Sequence, residues 1–356
     1  MTSKERVLIS VHHQEPDRVP IGFAGTNGDI DRRLKQYFGL AADDNDGLLS
    51  ALHVDTRTVS APYVGPCLHG DIKGIHVDPL WGLRTRWIEN ESGGYWDFCD
   101  FPLQTATLAE VESWPMPSPD DFDYDAVKVQ CKKHKNHCAI FGDAGCGDII
   151  NSTGMLRTME QVLIDMAMDD PAGILIFERK SSIQAEILGR TLKAADGGID
   201  LVWLGEDLGT QQGPLISLAM FRKFIRPRHQ RLVDIAKAYN VPVMIHCCGS
   251  SSWAFEDFIE MGINVVDTLQ PEAANMSPVY LKNQYGGRLA FHGSISTAGP
   301  MAYGSVEDTV KNVRETLDIM MPGGGYIMSP THMIQDNSPT ENVVAAYEAV
   351  SKYGVY

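Results

Sequence analysis

Phe221-Arg-Lys-Phe-Ile-Arg-Pro-Arg-His-Gln-Arg-Leu-Val-Asp-Ile-Ala-Lys-Ala-Tyr239, followed at once by Pro242-Val-Met-Ile-His-Cys-Cys-Gly249, carries the alternation that decides the fold. The first run spaces apolar residues at helical intervals among charged ones, and the second is a short apolar run ending in polar residues and glycine. The pairing repeats along the chain. Trp253 to Met261 reads as a helix stopped by Gly262, and Val306 to Met321 as another with Ser305 at its N-cap. Short apolar runs at about 20–23, 54–59, 138–143, 201–206, 242–247, 264–269, 288–293 and 325–330 read as buried parallel strands. Eight such runs, most of them separated by helices, predict an α/β (β/α)8 TIM barrel spanning residues 1–356 as one domain. An open doubly wound sheet is the alternative, and no Gly-x-Gly-x-x-Gly turn supports it.

Residues 69–119 break the pattern. Trp81-Gly-Leu-Arg-Thr-Arg-Trp-Ile88 and Gly93-Gly-Tyr-Trp-Asp-Phe98 predict a β-hairpin insertion near the N-terminal third. Such a hairpin is expected to cap the barrel mouth or to build a homodimer contact.

Charge narrows the partners. Thirty Lys and Arg stand against 46 Asp and Glu, a formal net charge of −16. That balance argues against nucleic acid or an anionic membrane, since both reward a basic face. The opening Met1-Thr-Ser-Lys-Glu-Arg-Val7 has no apolar signal region, and no stretch approaches about 18 apolar residues, so a cytoplasmic location is expected. The seven cysteines are irregularly spaced and odd in number, which suits reduced thiols and metal ligation better than a disulfide framework.

In a barrel, residues just past the carboxyl ends of the strands line the site. His246 and Cys248 lie two apart in an extended run, so they share a face, while Cys247 points the other way into the core. An imidazole and a thiolate on one face suit zinc with one position left open. His332, after the run Gly325-Tyr-Ile-Met-Ser-Pro-Thr331, is the expected third ligand, with Glu206 or Asp207 next in order. Other strand ends are also polar. Glu206, Asp207 and His292 are expected to supply acid–base chemistry; Asp55 and Arg57, with Gln270, are expected to orient a substrate. Each also has an ordinary reading: a loop cap for Asp207, backbone bonding for Gln270, a packed histidine for His292, an ion pair for Asp55 and Arg57. Gly323-Gly-Gly325 lacks the lysine of a phosphate loop, and there is no Gly-x-Ser-x-Gly elbow.

Glu206-Asp-Leu-Gly-Thr-Gln-Gln-Gly213, Arg226-Pro-Arg228, His246-x-Cys-Gly249, Gly323-Gly-Gly-Tyr-Ile327, Pro339-x-Glu-Asn342 and the opening Glu15-Pro-Asp-Arg-Val-Pro-Ile21 together resemble the uroporphyrinogen decarboxylase superfamily. The resemblance implies a (β/α)8 barrel over nearly the whole chain. True decarboxylases of that family carry an Arg-Gln-Ala-Gly-Arg signature after the first strand. Here that region reads Gly22-Phe-Ala-Gly-Thr-Asn-Gly-Asp-Ile-Asp-Arg-Arg33, without the cationic clamp that a porphyrinogen's many carboxylates require.

The resemblance therefore implies the other branch, corrinoid-linked methyltransferases, whose zinc site the His-x-Cys motif resembles. Members that methylate coenzyme M have a second cysteine near the last strand; Pro330-Thr-His332 puts His332 in its place, a departure from thiol methylation. The implied activity moves a methyl group from a small donor, of the methyl aryl ether or methylamine type, to a corrinoid. No Asp-x-His-x-x-Gly cobalamin-binding motif is present, so the corrinoid is expected on a partner protein. Trp81, Trp87, Tyr95, Trp96 and Phe98 are expected to cover an aromatic donor. Two other readings stand beside this one: a metal-free decarboxylase or lyase, and a non-catalytic binding protein on the same barrel.

Overall fold

Alternation within the apolar runs builds a parallel sheet buried on both faces. The computed structural model describes residues 1–90 and 93–356. Its strands are β1 (Thr56–Val59), β2 (His76–Val77), β3 (Arg84–Asn90), β4 (Gly93–Phe98), β5 (Cys138–Gly142), β6 (Leu201–Gly205), β7 (Val243–His246), β8 (Val265–Thr268), β9 (Ala290–Ile295) and β10 (Tyr326–Pro330). Seven of them form one curled sheet in the order β1-β5-β6-β7-β8-β9-β10, every neighbour pair parallel.

Because successive side chains alternate, each strand feeds two cores. Ala139 and Phe141, Val202 and Leu204, Val243 and Ile245, Val266, Phe291, and Tyr326 and Met328 pack outward under the helices. Cys138, Ile140, Leu201, Met244, Val265, Ala290 and Ile327 pack inward on one another, with Trp203 against them. Cys247 is fully buried in the outward core, as its phase requires.

The expected strand at 20–23 is reduced to a single parallel bridge, Ile21 to Met328. Its backbone nevertheless bonds on both sides: Gly22 N–H donates to the Met328 carbonyl, Met328 N–H donates to the Pro20 carbonyl, and Asp55 N–H donates to the Ile21 carbonyl. Pro20 has no N–H, which shortens any ladder here. One residue before this segment, Val19 N–H donates to the carbonyl of Gly354 at 2.7 Å.

The helices follow their sequence signals closely. Residues 306–320 are helical behind a capping box made by Ser305 and Asp308. The segment beginning at Phe221 opens instead with a π-turn over Phe221–Ile225 before the α-helix Arg226–Ala238, which has Pro227 in its first turn. Outside the main sheet, β2, β3 and β4 form a three-stranded antiparallel sheet, the expected hairpin with one short strand added. Among the described residues, no helix is long and apolar enough to cross a membrane.

Candidate functional site

Inward positions change from apolar to polar toward the carboxyl ends of the strands. Two residues beyond Met244, Val265 and Ala290 come His246, Asp267 and His292, and the pairing places these three side by side on adjacent strands. Asp267 is 3 % exposed, and its two carboxylate oxygens meet His246 Nδ1 at 2.6 Å and His292 Nδ1 at 2.5 Å. Thr268 Oγ1 also lies 2.7 Å from His246 Nδ1. On the other side of its ring, His246 Nε2 is 3.2 Å from Cys248 Sγ and 3.7 Å from Asp207 Oδ1.

Asp207, His246 and Cys248 thus form a donor cluster, with one ligating atom from each lying within 4.8 Å of the others. Asp207 is itself held on both oxygens, by Cys248 N–H at 2.8 Å and Asn151 Nδ2 at 2.9 Å. Oxygen, nitrogen and sulfur donors in one cluster fit a zinc-type ion by their chemistry. His332 is not part of it. The expected third ligand sits two residues past the end of β10, exposed, on the wall of a cavity of about 110 Å³ that it shares with His246. Ala24, Ala144, Trp203, Pro330 and Met333 supply the cavity's apolar lining, and Asp267, Thr268 and Thr331 supply polar groups.

Burial disfavours a charged His246, but its hydrogen bonds to Asp267 and Cys248 outweigh that and raise its pKa well above the usual imidazole range. Burial likewise opposes charge on Asp267, yet the two imidazoles hold its carboxyl far below the usual carboxylate range. The Cys248 thiol is raised, because burial outweighs the favourable neighbour His246.

Glu206 faces away from the cavity. Fully buried, it accepts the N–H groups of Ile149 and Ile150, each at 3.0 Å, at the start of the helix Ile150–Arg157. Burial, reinforced by the nearby Asp148, raises its carboxyl well above the ordinary value. Asp148 is itself pushed up to about 6, by burial first and by Asp207 second.

Three of the expected substrate residues lie elsewhere. Asp55 precedes β1 and so stands at the amino end of the sheet, opposite the cavity. There it accepts from Arg6, Arg18, Ser3 and the Ile21 N–H, all within 3.1 Å. Arg57 is spent on Asp46 at 2.6 Å and on the carbonyls of Val54 and Thr56. Gln270 does not line the cavity; its side-chain oxygen accepts Gly249 N–H at 2.7 Å and thereby tethers the loop that carries Cys248. His292 is 2 % exposed and is not among the residues that line the cavity.

The hairpin aromatics are also displaced from expectation. Trp87, Tyr95 and Trp96 line a separate cavity of about 640 Å³ with Asn27, Asp29, Glu89 and Asp336. Trp81 instead packs under the Lys180 ammonium, 5.2 Å from its ring centre.

Asp267 was missed at the sequence level, although the signal existed: it stands two residues after an inward valine, in the same phase as His246 and His292.

Among solved structures, a methyltransferase from Methanosarcina mazei is similar over 99% of both chains, with a TM-score of 0.63 and 17% sequence identity. A D-allulose 3-epimerase from Methylomonas sp. aligns with 66% of this chain and 84% of its own at 14% identity, with a TM-score of 0.39. Among curated proteins none matches. The family model described as Uroporphyrinogen decarboxylase (URO-D) matches residues 102–353, and the chain belongs to that family.

Proposed function

We propose that this protein is a zinc-dependent methyltransferase, moving a methyl group between a small donor and the cobalt of a corrinoid carried by a partner protein. One observation carries the reading: Asp207, His246 and Cys248 converge at the carboxyl end of the sheet. The whole-length likeness to a methyltransferase supports it. We take the sheet, with the segment at Ile21 bonded between β10 and the start of β1, as a closed (β/α)8 barrel whose mouth is the reaction site.

Asp207, His246 and Cys248 would hold the metal, with Asp207 in the place expected for His332. Bound there, zinc would supply Lewis acidity to the leaving heteroatom. Trp203, Met333, Pro330, Ala24 and Ala144 would give the methyl donor an apolar wall beside His246. Among the described residues no lysine or arginine lines this cavity, so a donor without negative charge is favoured over an anionic one. His332, which lines the same cavity as His246, would give a proton to the departing heteroatom. Glu206 shapes the helix start behind Asp207 rather than touching the donor.

The test is metal content per chain by elemental mass spectrometry, on wild type and Cys248→Ala prepared identically. About one zinc per chain, lost in the variant, is expected, followed by cob(I)alamin methylation with methylamines, methanol and methyl aryl ethers as donors. Folded wild type that takes up no zinc when zinc is offered would sink the metal mechanism. Carbon dioxide release from a carboxylic acid substrate would instead establish a decarboxylase, and binding without turnover a non-catalytic barrel.

A further inference from the structure

An ionised carboxylate only accepts hydrogen bonds. Asp267, buried with one oxygen 2.6 Å from His246 Nδ1 and the other 2.5 Å from His292 Nδ1, therefore requires a proton on both nitrogens. Thr268 Oγ1, 2.7 Å from the same His246 nitrogen, can then only share that proton as a second acceptor. With Nδ1 committed, Nε2, the atom that faces Cys248 and Asp207, is the nitrogen that must be free of a proton whenever His246 binds a metal.

The backbone around Asp267 is unusual in the same place. Thr268 and Leu269 follow it with φ of 90° and 52°, a region that branched side chains rarely enter. On the next strand, Gly293 has φ 127°, and a Cβ there would overlap the Thr268 carbonyl. On its far side, His292 Nε2 lies against Gly22, where a Cβ would also overlap it. The chain accepts strain and close approach on both flanks of this carboxylate, as it does where a side chain must be aimed.

We propose that Asp267 and His292 are positioning residues: the carboxylate fixes the tautomer and ring plane of His246, and His292 occupies the second oxygen so that the carboxylate cannot rotate. The consequence for metal binding rests on the function proposed above; the tautomer assignment does not.

The substitution chemistry is specific. Asp267→Asn offers one acceptor oxygen and one N–H₂ donor, so it can satisfy one imidazole N–H and must confront the other ring with a donor. One of the two histidines must then surrender its Nδ1 proton and take the opposite tautomer. His292→Gln keeps a donor for Asp267; His292→Phe keeps bulk without one.

The experiment is ¹⁵N-histidine NMR of metal-free wild type, Asp267→Asn, His292→Gln and His292→Phe. Zinc titration against a chromophoric chelator and melting curves accompany it on the same proteins. Wild type is expected to show protonated Nδ1 on both His246 and His292. Asp267→Asn is expected to switch one of them and to weaken zinc about 10–100-fold. His292→Phe should weaken zinc to a smaller extent, and His292→Gln should restore it toward wild type. An unprotonated His246 Nδ1 in wild type, or Asp267→Asn with unchanged tautomers and unchanged zinc affinity, overturns the proposal. Should Asp267→Asn fail to fold, His292→Phe against His292→Gln decides: equal zinc affinities in the two overturn it. If wild type takes no zinc, the metal reading fails while the NMR still decides the positioning role.

Discussion

The two ends of the parallel sheet each bury an aspartate, and they neutralise it in opposite ways. At the amino end, Asp55 is fully enclosed by Arg6, Arg18, Ser3 and a backbone N–H. At the carboxyl end, Asp267 is enclosed by two imidazoles. Guanidinium groups stay charged at any pH the protein survives, so the first arrangement is fixed. Imidazoles exchange protons and bind metals, so the second can take part in chemistry. Burial and bonding alone do not separate a structural carboxylate from a functional one; the kind of partner does.

The contrast is sharpest in stability. Asp55→Ala leaves Arg18 without its carboxylate and Arg6 with Asp17 alone, and should cost about 3 kcal/mol in urea unfolding. Metal content and turnover of the folded fraction should stay intact. Loss of metal without loss of stability would move Asp55 into the site and break the comparison.

A second test uses pH. Lys180 is fully buried behind the site, hydrogen-bonded to the Ser152 carbonyl, and burial lowers its pKa from 10.5 to about 8. Between those values the unfolded chain binds more protons than the folded one, so stability should rise with pH across that window. The gain is at most about 3 kcal/mol. Lys180→Met should remove this part of the slope, which the difference between the two unfolding profiles measures; an unchanged difference would show that Lys180 keeps its ordinary pKa.

Gly22→Ala probes the contact with His292. An added methyl must displace either the backbone at Gly22 or the imidazole. A cost of about 1–3 kcal/mol is expected from overpacking, with weakened zinc binding as the ring moves. Equal stability and affinity would mean that His292 is looser than its burial suggests.

The smallest effect is expected for Asn151→Ala, which deletes the bond from Asn151 Nδ2 to Asp207 Oδ2. Roughly 1 kcal/mol of stability and a few-fold loss in zinc affinity should follow. Cys248 N–H still holds the other oxygen.

Much of this was legible in the residues. Strands buried on both faces read as short apolar runs, and seven of the eight runs became strands of one sheet. His246, Cys247 and Cys248 sorted correctly by two-residue alternation, because an extended chain leaves no other choice. Position along a run was harder to read. Asp55 was expected at a strand's end and stands at its beginning, since a run of six apolar and polar residues does not mark which end carries the polar step. β8 was read past its true end to Gln270, so the inward Asp267 was overlooked. His332 lies beyond β10 in a loop, where no period constrains the direction of a side chain. Long-range pairings such as Asn151 with Asp207 leave no local pattern at all.

The bonds of Val19 and Gly22 to Gly354 and Met328 also bear on synthesis. These partners emerge from the ribosome more than 300 residues later, some tens of seconds at roughly 5–20 residues per second. When β9 is completed at Ile295, His246, Asp267 and His292 are all present, but Met328 and Gly354 are still to come, and Ile21 has only its backbone bond from Asp55. The nascent chain therefore carries most of its site before the segment at Ile21 gains its bonds to β10.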